Sequence, residues 1–237
     1  MNKKIMFAYV IAMMTMQLFF SRDLNLSNTI FPFLDGVPIA TFALEFKYLS
    51  TWYLPIFGLT MYYQGRLSNK LNGYGILQIT RYKSKQVWLL KEYVLLFIEL
   101  LVFIGCQCLI NLIRVFWGQT NVTNGMGILL FIYFLMIYVI ISLQSLLEMF
   151  LNSRMAFLIV NIYIVFSCIS ISEKGLPKYI YYLSLSNYGM GFKENLGKLN
   201  RLYTNDLNIQ VSIFILVVLE VVVIIASALK VKKMDVI

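Results

Sequence analysis

The sequence predicts one all-α, polytopic membrane domain of six transmembrane helices over residues 1–237, and three observations carry that expectation. Hydrophobic residues make up 60% of the chain and charged residues only 13%, about half the usual globular share of roughly 25%. Several apolar runs approach the ~20 residues that cross a hydrocarbon layer. The charges fall between those runs and at the two ends.

The first span is residues 5–20, after Met1-Asn2-Lys3-Lys4. It looks like a signal peptide in its charged start and short core, but Ser21-Arg22-Asp23 offers no small-residue cleavage pattern, so it is expected to stay. The second lies within 40–63, where Glu45 and Lys47 sit at an interface or inside a bundle. Pro55 and Gly58 predict a bend there, with Ser50 and Thr51 as partners for the freed backbone groups. The third, fourth, fifth and sixth spans are 93–113, 127–147, 155–171 and 209–229.

Charge sets the orientation. Lys3, Lys4, Arg66, Lys70, Arg154, Lys230, Lys232, Lys233 and the basic stretch Arg81 to Lys91 all fall on one side, which the positive-inside bias makes cytoplasmic, together with both termini. The formal net charge of +9 is therefore assigned to anionic lipid and topology rather than to nucleic acid. Ile, Asn, Lys and Met usage looks bacterial, so Asn121-Val122-Thr123 is given no glycosylation role, and a bacterial cell membrane is the expected location.

Little points to catalysis. The chain has no histidine, which removes the Ser-His-Asp and Cys-His arrangements and any His-containing metal site. Cys106 and Cys108 lie two apart, so a helix turns their side chains away from each other; with Cys168 they read as small buried hydrophobes. Gly191 to Leu199 approaches a phosphate-binding loop but has one residue too many between its glycines and Leu199 in place of Ser or Thr. The expectation is a non-enzyme without a metal or cofactor of its own.

Polar residues inside the spans need an explanation, because an ionised carboxylate in hydrocarbon costs several kcal/mol unless paired, solvated or protonated. Glu99, Glu148 and Glu220 fall on three helices, and Gln107 shares a stripe with Glu99 and Cys106. They line a translocation path or hold helices together. Tyr138, Ser142, Ser145 and Glu148 drift round the fourth helix and read as packing or as the lining of an inner vestibule. Residues 172–207 form a long outer segment in which Tyr179, Tyr181 and Tyr182 either anchor short interfacial helices or belong to an ordinary loop.

The segment Ile79 to Tyr93 stands apart. Arg81, Lys83, Lys85 and Lys91 would each gain on the order of 1 kcal/mol beside an anionic leaflet, and Trp88 and Tyr93 suit the interface. Lipid anchoring leaves unexplained why Gly65 to Gln78 separates this patch from the second span.

The run Tyr74-Gly75-Ile76-Leu77-Gln78-Ile79-Thr80-Arg81-Tyr82-Lys83-Ser84-Lys85, followed by Trp88, resembles a stretch found in membrane-spanning subunits of ABC-2 type exporters. The small bacterial permeases of bacteriocin or lantibiotic immunity and multidrug efflux are the nearest in kind. The resemblance implies that Leu71 to about Trp88 includes a coupling helix that docks in a groove of a separate cytoplasmic ATPase carrying ATP and magnesium. Arg81, Lys83 and Lys85 would meet its acidic groups or lipid phosphate, and Tyr82 or Trp88 would fill an apolar contact. It further implies outer capping helices around Tyr179 to Tyr182, pairing with a second permease copy or a different permease, and transport of an antimicrobial peptide, amphipathic drug or lipid-like substrate. The chain lacks the extracellular domain of larger members. The rival expectation is a non-transport adaptor or immunity protein that binds lipid or a cytoplasmic partner.

Overall fold

A computed structural model describes residues 3–24, 30–38, 46–72, 82, 84–118, 125–170, 182–191 and 208–233. Seven α-helices are present among them: α1 (Lys3–Phe20), α2 (Phe46–Tyr63), α3 (Arg66–Asn72), α4 (Lys85–Phe116), α5 (Met126–Leu147), α6 (Ser153–Ser170) and α7 (Ile209–Lys233). The chain is all-α and multi-pass. Four of the helices, α1, α4, α5 and α7, are long and apolar enough to cross a membrane.

The most hydrophobic helix sits in the middle. Every residue from Ile132 to Ser142 of α5 is buried, and α5 packs against α2, α4, α6 and α7. An all-round apolar sequence is what a helix surrounded on every side requires. The other long helices bury one stripe each and leave large apolar side chains such as Phe19, Leu109, Phe166 and Phe214 exposed.

α2 keeps its helix through Pro55. Proline has no N–H, so the carbonyl four residues earlier, that of Thr51, loses its intrahelical donor. Ser50 and Thr51 do not serve as the expected partners: their hydroxyls donate to the carbonyls of Phe46 and Lys47. The side chain of Gln17 on α1 donates to the Thr51 carbonyl instead, at 2.8 Å. A second side-chain amide, that of Gln144 on α5, donates to the Thr60 carbonyl at 2.9 Å.

The third span starts earlier than the hydropathy pattern predicts. Ser84 is extended (φ −151°, ψ 149°) and its side chain accepts the Val87 N–H at 3.2 Å, an N-cap that begins α4 at Lys85. The 32 residues of α4 measure about 48 Å, well beyond the ~30 Å hydrocarbon core. The excess lies on the side of α3. Leu71 and Trp88, the bounds of the stretch expected to include a coupling helix, belong to two separate helices.

Candidate functional site

α3 is held at its start by a carboxylate from another helix end. Gly65 has φ +75°, a left-handed conformation that glycine adopts without steric cost, and it turns the chain from α2 into α3. Its N–H donates to Glu148 Oε1 at 2.7 Å. Glu148 follows the last residue of α5, and the N–H groups of Leu67 and Ser68 also aim at it. These are the unpaired donors that every helix N-terminus presents. Burial nonetheless raises the Glu148 carboxyl above its usual range, the hydrogen bonds opposing that shift only in part.

α4 supplies two more carboxylates. Lys70 lies 2.5 Å from Glu92, Arg66 lies 3.7 Å from the same Glu92 oxygen, and Arg66 also pairs with Glu99. The Glu92 side chain is 9% exposed and that of Glu99 40%, so Glu92 is the enclosed member. The Arg66 guanidinium stands 5.4 Å from the Tyr63 ring centre. Beneath these pairs Leu67, Leu71, Trp88, Leu89, Tyr93, Met149 and Val231 form an apolar cluster apart from the main core. Helix α3 is thereby fastened to α4, to the end of α5 and to the end of α7.

The residues expected to meet a cytoplasmic partner divide. Arg81 and Lys83 lie outside the described residues. Tyr82 is half-buried, and its hydroxyl accepts from Lys91 Nζ at 2.8 Å. Lys85 is the first residue of α4 and is half-buried. Trp88 is 1% exposed, its indole packed into the cluster below α3. In this conformation it fills an apolar contact in its own chain, where bulk and carbon content serve as well as they would in a partner's pocket.

The polar residues expected inside the spans also separate, and Glu148 lies just past the end of α5. Glu99 and Glu148 both reach the start of α3. Glu220 instead accepts from the Ser142 hydroxyl of α5 at 2.9 Å, with Tyr138 beside it. Close by, the Tyr93 and Ser227 hydroxyls pair at 2.7 Å, joining α4 to α7.

Gln107 belongs to the other end of the bundle. It donates to Gln17 Oε1 at 2.9 Å, which links it through Gln17 to the Pro55 site. Asn111 and Arg114 continue its face at positions four and seven further on; both are buried, and Arg114 pairs with the Ser21 hydroxyl and lies in the field of Asp35. The expected third span stops at 113, one residue short of Arg114. The spacing of Arg114 from Gln107 and Asn111 is the signal that it belongs to the helix.

Tyr179 and Tyr181 lie outside the described residues. Tyr182 is half-buried and its carbonyl accepts the Tyr188 hydroxyl at 2.6 Å. Residues 185–190 are buried, with Gly189 (φ +73°) so close to α5 that a Cβ there would lie 2.6 Å from Tyr133 Cα. Among the described residues, no group of three or more His, Cys, Asp or Glu side chains is placed to hold a metal.

No solved structure matches the chain. It is similar to the uncharacterized protein YybK of Bacillus subtilis (strain 168), 27% identical over 221 residues that cover 89% of this chain and 88% of that protein. Residues 9–237 match the family described as protein of unknown function DUF2705, and this multi-pass helical membrane protein, with α3 fastened by carboxylates of two other elements, belongs to that family.

Proposed function

We propose that the chain is the membrane-spanning permease subunit of an ATP-driven exporter of the ABC-2 type, moving an antimicrobial peptide, amphipathic drug or lipid-like substrate. In this reading α1, α2, α4, α5, α6 and α7 are six spans of a bacterial cell membrane, with both termini in the cytoplasm. A separate cytoplasmic subunit binds ATP and magnesium, and a second permease, identical or different, completes the path.

The observation that supports this reading is the fastening of α3. The chain between α2 and α4 is tied by Arg66 and Lys70 to Glu92 and Glu99, and by Gly65 to Glu148. Force applied to that segment is carried into α4 and α5 through rigid helices and packed side chains, which is what a coupling element between a motor subunit and a bundle requires. With Trp88 occupied internally, the contact with the motor falls to Arg81, Tyr82, Lys83 and Lys85. Glu220 and Ser142, inside the bundle, are the polar pair assigned to the path or to the helix contact beside it.

The test is isolation of the native membrane complex. An ATP-binding subunit is expected to co-purify with the wild-type chain and to be lost when Arg81, Lys83 and Lys85 are changed together to Gln, with helix content unchanged. Isolation without any ATP-binding subunit, under conditions that preserve other membrane complexes, overturns the proposal in favour of an adaptor bound to lipid or to another cytoplasmic protein.

A further inference from the structure

Between α6 and α7 the bundle leaves an apolar cleft. Leu143 and Leu147 of α5 form its floor, Ile159 and Tyr163 of α6 one wall, and Ile215 and Leu219 of α7 the other, around a cavity of about 480 Å³. The outer end is closed. The Tyr163 hydroxyl donates to the Leu183 carbonyl at 2.8 Å and accepts the Leu185 N–H at 3.0 Å, which holds residues 183–185 across the top.

The lining is almost wholly carbon, and the volume falls in the ordinary range for ligand sites, roughly 300–1,000 Å³. A polar occupant would lose its hydration without gaining partners. A hydrocarbon chain loses nothing.

The inner end is different. Exposed Phe150 follows α5, and Lys230 of α7 places its ammonium 4.5 Å from the centre of that ring. Phe150 lies three residues after Leu147, so this lysine stands at the inner end of the cleft. Lys232 and Lys233 complete α7. None of these three lysines forms an ion pair among the described residues, where the pairs belong to Arg66 and Lys70.

We propose that this cleft binds one anionic phospholipid, with an acyl chain lying between Ile159 and Leu219 and its phosphate meeting Lys230. Charge decides against a second copy of the chain as the occupant. A two-fold contact through α6 and α7 would set the same cations against each other, whereas a lipid phosphate neutralises them. The site does not depend on the transport reading.

Native mass spectrometry of the full-length chain in detergent, titrated with phosphatidylglycerol and with phosphatidylcholine of identical acyl chains, tests the site. Lys230 is expected to contribute about 1 kcal/mol, so wild type should prefer phosphatidylglycerol by about fivefold. Lys230→Gln should erase that preference and leave weak binding of both lipids. Leu219→Trp should fill the cleft and remove binding of both, with unchanged circular dichroism and monodisperse elution; where that variant misfolds, Ile159→Trp, on the more exposed wall, serves in its place. Equal affinity of wild type for the two lipids, unchanged binding after a folded Trp substitution, or disulfide cross-linking between copies through Ile159→Cys each overturns the proposal.

Discussion

The backbone N–H of Gly65 donates to the carboxylate of Glu148 across 83 residues of sequence, at 2.7 Å. One bond joins the turn after α2 to the end of α5, and it takes the place of a local N-cap for α3. A seven-residue helix is too short to persist alone in water, so its existence rests on such tertiary contacts.

Glu148→Ala removes that acceptor and leaves the buried Gly65 N–H without a partner, a loss of about 1–2 kcal/mol. Glu148→Gln keeps an acceptor oxygen and is expected to change stability by less than about 0.5 kcal/mol near neutral pH. Hydrogen exchange at residues 66–72 in detergent checks both, with faster exchange expected only for Ala.

The same residue gives the chain a pH dependence of definite sign. Its folded pKa is raised by burial, so the folded chain holds the proton to higher pH than the unfolded one. Stability from this group should fall as pH rises from about 4.3, the ordinary glutamate value, through the raised value, and stay level above it. Thermal unfolding across that window should show the slope in wild type and its loss in Glu148→Gln.

Glu92 and Glu99 both pair with Arg66, but only Glu92 is enclosed and shared with Lys70. Glu92→Gln takes the carboxylate from Lys70 and leaves Arg66 with Glu99 alone, and is expected to cost about 1–3 kcal/mol. Glu99→Gln, at a side chain 40% exposed, should cost less than about 1 kcal/mol. Unfolding titrations in mixed micelles should rank the two in that order; equal losses contradict the asymmetry.

Gln17 stands in for the N–H that Pro55 lacks. Gln17→Leu strands the Thr51 carbonyl, leaves the Gln107 amide only its longer bond to the Tyr133 hydroxyl, and should cost about 1–3 kcal/mol. Adding Pro55→Ala restores a backbone donor to Thr51, so the double variant should recover part of the loss. A double-mutant cycle measures the coupling, and strict additivity would contradict the assignment.

Gly189→Ala combines strain at φ +73° with a Cβ 2.6 Å from the Tyr133 backbone. The cost of the left-handed conformation alone is about 1–2 kcal/mol, and the clash with backbone adds to it. Residues 182–191 should detach from α5, with limited proteolysis rising there before the helices are cut.

Hydropathy located the long helices. Runs of this length and apolarity leave few other outcomes, and the observed bounds of α1, α5 and α6 lie within two residues of those expected. The start of α4 escaped because an N-cap, not hydrophobicity, begins it. The residues expected to meet a cytoplasmic partner are legible in the sequence only as a basic cluster, since composition cannot say whether an indole points outward or into its own chain.

Composition and periodicity determined that this chain is a bundle of apolar helices, because the free energy of burying carbon is additive along the sequence and nearly indifferent to neighbours. Only the tertiary structure decided what the charged and amide side chains do. Glu148 and Gly65, Gln17 and Thr51, and Glu92 and Lys70 are far apart in sequence, and hydrogen bonds and ion pairs act over a few ångströms, so their partners exist only once the helices are packed.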